Sequence, residues 1–119
     1  MNVIERKRIL ITNTLREILC SLHNEYSVFK DVVITVTNTY LLDGGKLIKV
    51  YLSLYSYNGR DIDEDRFLKF LRKISGKIRF KLGLSLSNKL KFIPSIDFYI
   101  DDTMKVFNSV KELMNRINS

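Results

Sequence analysis

The 119-residue chain reads as an α+β protein with one domain spanning 1–119. Apolar residues recur at helical spacing in three stretches, and β-branched or aromatic residues alternate in three others. Glycine-containing turns, Asp43-Gly44-Gly45 and Asn58-Gly59, close the first two alternating runs. The resulting order is α-β-β-α-(α or β)-β-α. A chain of this length buries roughly two-thirds of its unfolded surface in a single core.

The first helix is expected from about Ile4 to Glu25, because Ile11, Leu15, Ile18, Leu19 and Leu22 fall on one face. Val32, Ile34 and Val36 then alternate with Val33, Thr35 and Thr37, a pattern suited to a pleated strand. Asp43-Gly44-Gly45 tolerates positive φ and predicts a hairpin. Its return strand, Lys46 to about Tyr57, places Ile48, Val50, Leu52 and Leu54 on one side and Tyr51, Tyr55 and Tyr57 on the other. Asp61, Asp63, Glu64 and Asp65 supply the negative charge that a helix N-terminus favours. Phe67, Phe70, Leu71, Ile74 and Ile78 form the apolar stripe of that second helix.

Gly76 interrupts the pattern at a cost of about 1 kcal/mol in an undistorted helix, which predicts a kink at Ser75-Gly76. Beyond it two periods coincide. Ile78, Phe80, Leu82, Leu84 and Leu86 alternate as in a strand, while Ile78, Leu82 and Leu86 also fit a helix. Pro94 stands at the entry of a last strand carrying Ile96, Phe98 and Ile100. Asp102 or Thr103 then caps a final helix whose buried side is expected to be Val106, Val110, Leu113, Met114 and Ile117.

Charge is the main functional signal. Between Arg66 and Lys91 lie nine basic residues and no acid: Arg66, Lys69, Arg72, Lys73, Lys77, Arg79, Lys81, Lys89 and Lys91. The whole chain carries +7, and the rest of it is slightly acidic. Lys69, Lys73 and Lys77 are four apart, so a helix gathers them on the side opposite its apolar stripe. Such a face attracts a polyanion, with RNA or DNA phosphate the leading candidate. A membrane surface would require the apolar stripe to be free, and here it is needed to cover the sheet. Tyr51, Tyr55 and Tyr57 could stack on bases, although tyrosine is also simply a good strand residue.

Other candidate chemistry is thin. His23, the single histidine, has Cys20 nearby, but two ligands are too few for a structural zinc site. Cys20 borders the apolar stripe and is expected to be buried and inert. Asp61-x-Asp63-x-Asp65 opens like a calcium loop, yet Arg66 and Arg72 stand where glycine and glutamate are required. Gly44-Gly45 precedes no phosphate-binding helix. No catalytic residue, metal or cofactor is expected. No apolar run approaches the ~18–20 residues of a membrane span, and one cysteine with no export signal suits a reducing cytoplasm.

Lys49-Val50-Tyr51-Leu52-Ser53, Ser75-Gly76-Lys77-Ile78-Arg79 and Ile93-Pro94-Ser95-Ile96-Asp97-Phe98, in this order and spacing, resemble the bacterial ribosome-binding factor A family. The similarity runs from about Arg6 to Ile117. It implies a KH-like domain of type II topology, α-β-β-α-kink-α-β, followed by a C-terminal helix, with 77–86 helical. It further implies a non-enzymatic factor that binds the small (30S) ribosomal subunit and helps mature the 5′ end of 16S rRNA, notably in the cold. The implied partners are 16S rRNA and ribosomal proteins, with the chain acting as a monomer and without a small-molecule substrate. The family's kink carries Ala-x-Gly. Ser75 and Gly76 match its last two positions, and Ile74 replaces the alanine. Arg79, Lys91 and Arg6 match basic positions of the family. Between Gly83 and Asn88 the chain is about two residues longer than the pattern, which is expected to lengthen the loop before the last strand. The residues alone also admit an RNA-binding module unconnected with ribosomes, or a basic domain that meets an acidic protein.

Overall fold

A computed structural model describes residues 2–118, and of residues 104–109 the backbone alone. The chain runs α1 (Val3–Ser21), two short 3-10 turns (Leu22–Asn24 and Ser27–Phe29), β1 (Val32–Leu42), a turn (Asp43–Gly45), β2 (Leu47–Ser56), α2 (Glu64–Lys73), α3 (Ser75–Leu86), β3 (Ser95–Ile100) and α4 (Thr103–Asn118). The α+β class and the order α-β-β-α-kink-α-β-α are those expected.

The sheet has the order β1-β2-β3, antiparallel between β1 and β2 and parallel between β2 and β3. Because β2 is central, its inward residues Ile48, Val50 and Leu52 are wholly buried. The β1–β2 turn uses positive φ at Asp43, Gly44 and Gly45, as the hairpin signal predicts. Strict alternation fails at one point of β1. The β1–β2 register shifts between Val36 and Asn38, so Thr37 is bulged. A bulge reverses which parity faces inward. Val32 and Val36 point to the core before it, and Thr39 after it. The buried Thr39 hydroxyl lies 2.9 Å from the Thr12 hydroxyl and accepts from Arg8 Nη1 at 2.9 Å, which satisfies an otherwise costly buried polar group.

α1 is capped by Asn2, whose side chain accepts from the Glu5 N–H at 2.7 Å. It ends at Ser21 rather than near Glu25, because the backbone N–H groups of both Glu25 and Tyr26 close on the Leu22 carbonyl. The chain thereby turns tightly and buries Leu22 and Phe29. Cys20 is exposed, contrary to expectation. It follows the buried Leu19 by one residue, and the helical rotation of ~100° carries it out of the stripe.

α2 is capped by Asp63, whose side chain accepts from the Arg66 N–H at 3.1 Å. Phe67 and Leu71 are buried, and Phe67 meets Phe29 edge-on at 5.1 Å. The break between α2 and α3 falls at Ile74 (φ −96°, ψ 7°), one residue before the expected Ser75-Gly76. Gly76 is helical, and a Cβ there would meet nothing within 4 Å. Ser75 bridges the break, its hydroxyl donating to the Arg72 carbonyl at 2.8 Å.

The ambiguous stretch is helix. Ile78, Leu82 and Leu86 are buried along α3, whereas Phe80 and Leu84 are 65% and 70% exposed. Burial thus follows the four-residue period. α3 runs to Leu86, as the family resemblance implies, and the loop before β3 begins at Ser87. The expectation for α4 also needs correction. Val110, Leu113, Met114 and Ile117 are all more than half exposed, because α1, α2 and α3 already cover the inner sheet face. Val106 lies outside the described side chains.

Leu82→Ala should lower unfolding stability by about 2–5 kcal/mol in denaturant titration, and Leu84→Ala by no more than about 0.5 kcal/mol. Equal losses would favour a strand. Cys20 should react stoichiometrically with a thiol reagent in the native protein, and a need for denaturant would contradict its exposure.

Candidate nucleic-acid interface

The basic window becomes two short helices, and the Ile74 break divides its cations into groups with different surroundings. On α2, Arg66, Lys69, Arg72 and Lys73 are all exposed. The aliphatic and aromatic residues between them turn inward, so helical period separates charge from core as expected. Lys69 and Lys73, four apart, share one side of the helix. Arg72 reaches the sheet, where its Nη2 donates to the Phe98 carbonyl of β3 at 3.3 Å.

On α3, Lys77 and Lys81 are again four apart and converge on one carboxylate. Lys77 Nζ lies 2.9 Å from Glu25 Oε2, and Lys81 Nζ pairs with Glu25 Oε1. Lys77 also donates to the Tyr26 hydroxyl at 3.1 Å and sits 5.1 Å from the centre of that ring. The Lys81 and Lys77 ammonium groups hold the Glu25 carboxyl below the usual carboxylate range. Glu25, with Tyr26, raises the Lys77 ammonium in turn. These ties are therefore intact at neutral pH; they weaken in acid as Glu25 takes up a proton, and in strong alkali as the ammonium groups lose theirs.

Arg79 leaves α3 in another direction. Its Nε and Nη2 donate to the Ile93 carbonyl at 3.3 and 2.9 Å, fixing the segment that leads through the buried Pro94 into β3. Contacts of Arg72 and Arg79 with carbonyls differ in kind from an ion pair, since a carbonyl leaves the guanidinium charge uncancelled. Each guanidinium has five N–H donors, so further contacts remain open. Among the described residues, seven of the nine window cations have no carboxylate within ion-pair distance.

A second basic group forms past the end of α3. Lys89 and Lys91 are exposed, and both Lys91 and Lys46 stand 5.5 Å from the Phe92 ring centre. Lys7 lines a small hollow with Lys91, Phe92, Gly44 and Gly45. Arg6 is exposed near the start of α1. About 18 Å of α3 separates this group from the kink. Lys7, Lys46 and the counter-charge Glu25 were not singled out by sequence reasoning. They lie far from the window in sequence; the packing of α1 against α3 brings Lys7 and Glu25 to it, and the pairing of β2 with β3 brings Lys46.

The tyrosines are not brought to the basic face. By the alternation of β2, Tyr51 points away from the helices, where it stacks on Tyr99 (5.2 Å, 22°) and meets Tyr40 edge-on at 5.8 Å. Tyr55 and Tyr57 pack edge-on with each other. His23 and Cys20 line a groove beside β1 with Arg16 and Tyr57. No group of three or more metal-ligating side chains occurs among the described residues, the Asp61–Asp65 run included. No described helix is long and apolar enough to cross a membrane.

The family model described as Ribosome-binding factor A matches residues 4–114. Ribosome-binding factor A of Cytophaga hutchinsonii is 26% identical over 90 residues, which make up 76% of this chain and 65% of that protein. The chain thus spans less than two-thirds of that relative. The crystal structure of ribosome-binding factor A from Thermus thermophilus is similar with a TM-score of 0.65, covering 83% of this chain and 97% of that one. At 17% identity, that similarity speaks for the fold. The arrangement of elements and the match over nearly the whole length agree: the chain belongs to the ribosome-binding factor A family.

Proposed function

We propose that this chain is a non-enzymatic maturation factor that binds the small ribosomal subunit late in assembly and assists processing of the 16S rRNA 5′ end. The observation that carries the reading is the kinked pair α2–α3, with five exposed cations (Arg66, Lys69, Arg72, Lys73 and Arg79) that no described carboxylate neutralises. Family membership supplies the ribosomal context.

The mechanism is positional. Arg66, Lys69, Arg72 and Lys73 hold phosphates along α2, and Lys77, Arg79 and Lys81 do so along α3. Ser75 and Gly76 lie where the backbone can approach closely, because the Gly76 position leaves open space beside the break. Lys89 and Lys91, with Arg6 nearby on α1, extend the contact to the far end. Phosphate contacts fix register and orientation but read no bases. Specificity therefore comes from the shape of the immature rRNA and from adjoining ribosomal proteins. The factor favours one arrangement of the rRNA and leaves when the mature arrangement prevails. In this reading the whole chain is one KH-like RNA-binding domain acting as a cytoplasmic monomer.

Arg72 and Arg79 each hold a backbone carbonyl, so the cleanest test leaves them in place. The triple variant Lys69→Ala, Lys73→Ala, Lys89→Ala should keep its thermal midpoint within a few degrees yet lose co-sedimentation with 30S particles. For wild type, log affinity should fall linearly with log salt, by about 0.7–0.9 per phosphate contact, and the triple variant should show a slope smaller by about two to three. Undiminished co-sedimentation would refute the assignment.

A further inference from the structure

Glu25 is the one described carboxylate that forms ion pairs with the side chains of the basic window, and it does so with both oxygens. Its placement is built rather than incidental. Glu25 lies in the turn that closes on the Leu22 carbonyl. The next residue, Tyr26, is wedged edge-on against Phe29 at 6.0 Å and Phe70 at 5.2 Å. Tyr26 in turn receives the Lys77 ammonium on its hydroxyl. The backbone carrying the carboxylate is thus anchored to the core beside α2, while the carboxylate itself is exposed and free to leave.

Two ammonium groups one helical turn apart, each on one oxygen of a shared anion, make the arrangement that a phosphate would take up with two of its oxygens. Resting on the RNA-binding reading above, we propose that Glu25 occupies the phosphate position between Lys77 and Lys81 in the free protein and so sets the specificity of this face. An RNA that offers phosphate to only one lysine gains little, since the other ammonium and Tyr26 hold the carboxylate and its partners where they are. An RNA whose backbone engages both lysines at once displaces Glu25 completely. The device penalises loose, non-specific contact more than shape-matched contact, which is how discrimination arises by building a cost against the wrong partner. It also leaves a signature in the salt dependence. Where Glu25 already neutralises the lysines, a phosphate bound there still sheds its condensed cations, but the freed carboxylate gathers cations in turn, so those contacts add less to the slope.

The test is Glu25→Gln, which keeps the side-chain shape and removes the charge, with binding to poly(U) and to 30S particles measured across a salt series. The variant should bind poly(U) about tenfold more tightly at low salt, with a slope steeper by about one to two. Its preference for 30S particles over poly(U) should shrink by a similar factor. Adding Lys77→Gln to Glu25→Gln should remove most of the gain, and Glu25→Ala should reproduce its direction. If Glu25 merely held the lysines in place, its loss would weaken or leave unchanged the binding of poly(U), and either result overturns the proposal. Should wild type bind 30S particles while both proteins give coincident poly(U) curves, the gate alone is wrong. Should wild type bind neither ligand, the RNA-binding reading fails with it.

Discussion

The break at Ile74 is the constraint on which the rest of the molecule depends. The segment from Glu64 to Leu86 has two burial tasks: α2 must pack on β3, and α3 must pack on α1. A straight rod cannot lie along both. One residue outside helical geometry, with φ −96° and ψ 7°, lets each half settle on its own neighbour. Ser75 takes up the Arg72 carbonyl across the break, and Arg72 and Arg79 then pin the two halves to Phe98 and Ile93. Arginines of the basic window thus hold the same architecture that displays the lysines. In this sense the basic surface and the fold share parts.

The same break explains why an unbroken run of charge in sequence is not a uniform face in space. Lys69 and Lys73 lie on one helix, and Lys77 and Lys81 on another that looks toward the turn after α1. There they meet Glu25, a residue forty or more positions upstream of the window. The net +7 of the chain consequently contains two kinds of cation: those offered to solvent and those already held by a carboxylate. Carbonyl-bound Arg72 and Arg79 are intermediate, being fixed in direction yet still charged. In the proposed RNA-binding reading, this grading makes electrostatic attraction strongest along α2 and makes α3 the more discriminating part.

Much of this was legible in the residues because burial obeys short periods. The stripe Ile11, Leu15, Ile18 and Leu19, the inward β2 trio and the Asp43-Gly44-Gly45 turn all followed from spacing and turn chemistry. Resemblance to a family settled the helical state of 77–86, where local pattern served two periods equally, and the exposure of Phe80 and Leu84 shows how the conflict was resolved. What could not be read has physical causes. The Thr37 bulge depends on cross-strand pairing, which no single strand encodes. Cys20 is exposed because its neighbour Leu19 already occupies the stripe. Spacing alone puts the apolar side of α4 inside, but a three-stranded sheet offers one inner face, and three helices fill it. Ile74, apolar and within the stripe, carries no mark of a helix break. Glu25 carries none of a counter-ion, since its partners become neighbours only through tertiary packing.

The central claim, that α2, the Ile74 break and α3 present the phosphate-binding surface while the tyrosine-lined side of the sheet does not, is most directly tested by amide chemical-shift mapping of the labelled protein. Titration with a fragment of immature 16S rRNA should shift resonances of residues 66–91 and of Glu25 and Tyr26, and leave those of Tyr40, Tyr55 and Tyr99 in place. Shifts concentrated on the outer face of the sheet, with 66–91 unmoved, would contradict the account.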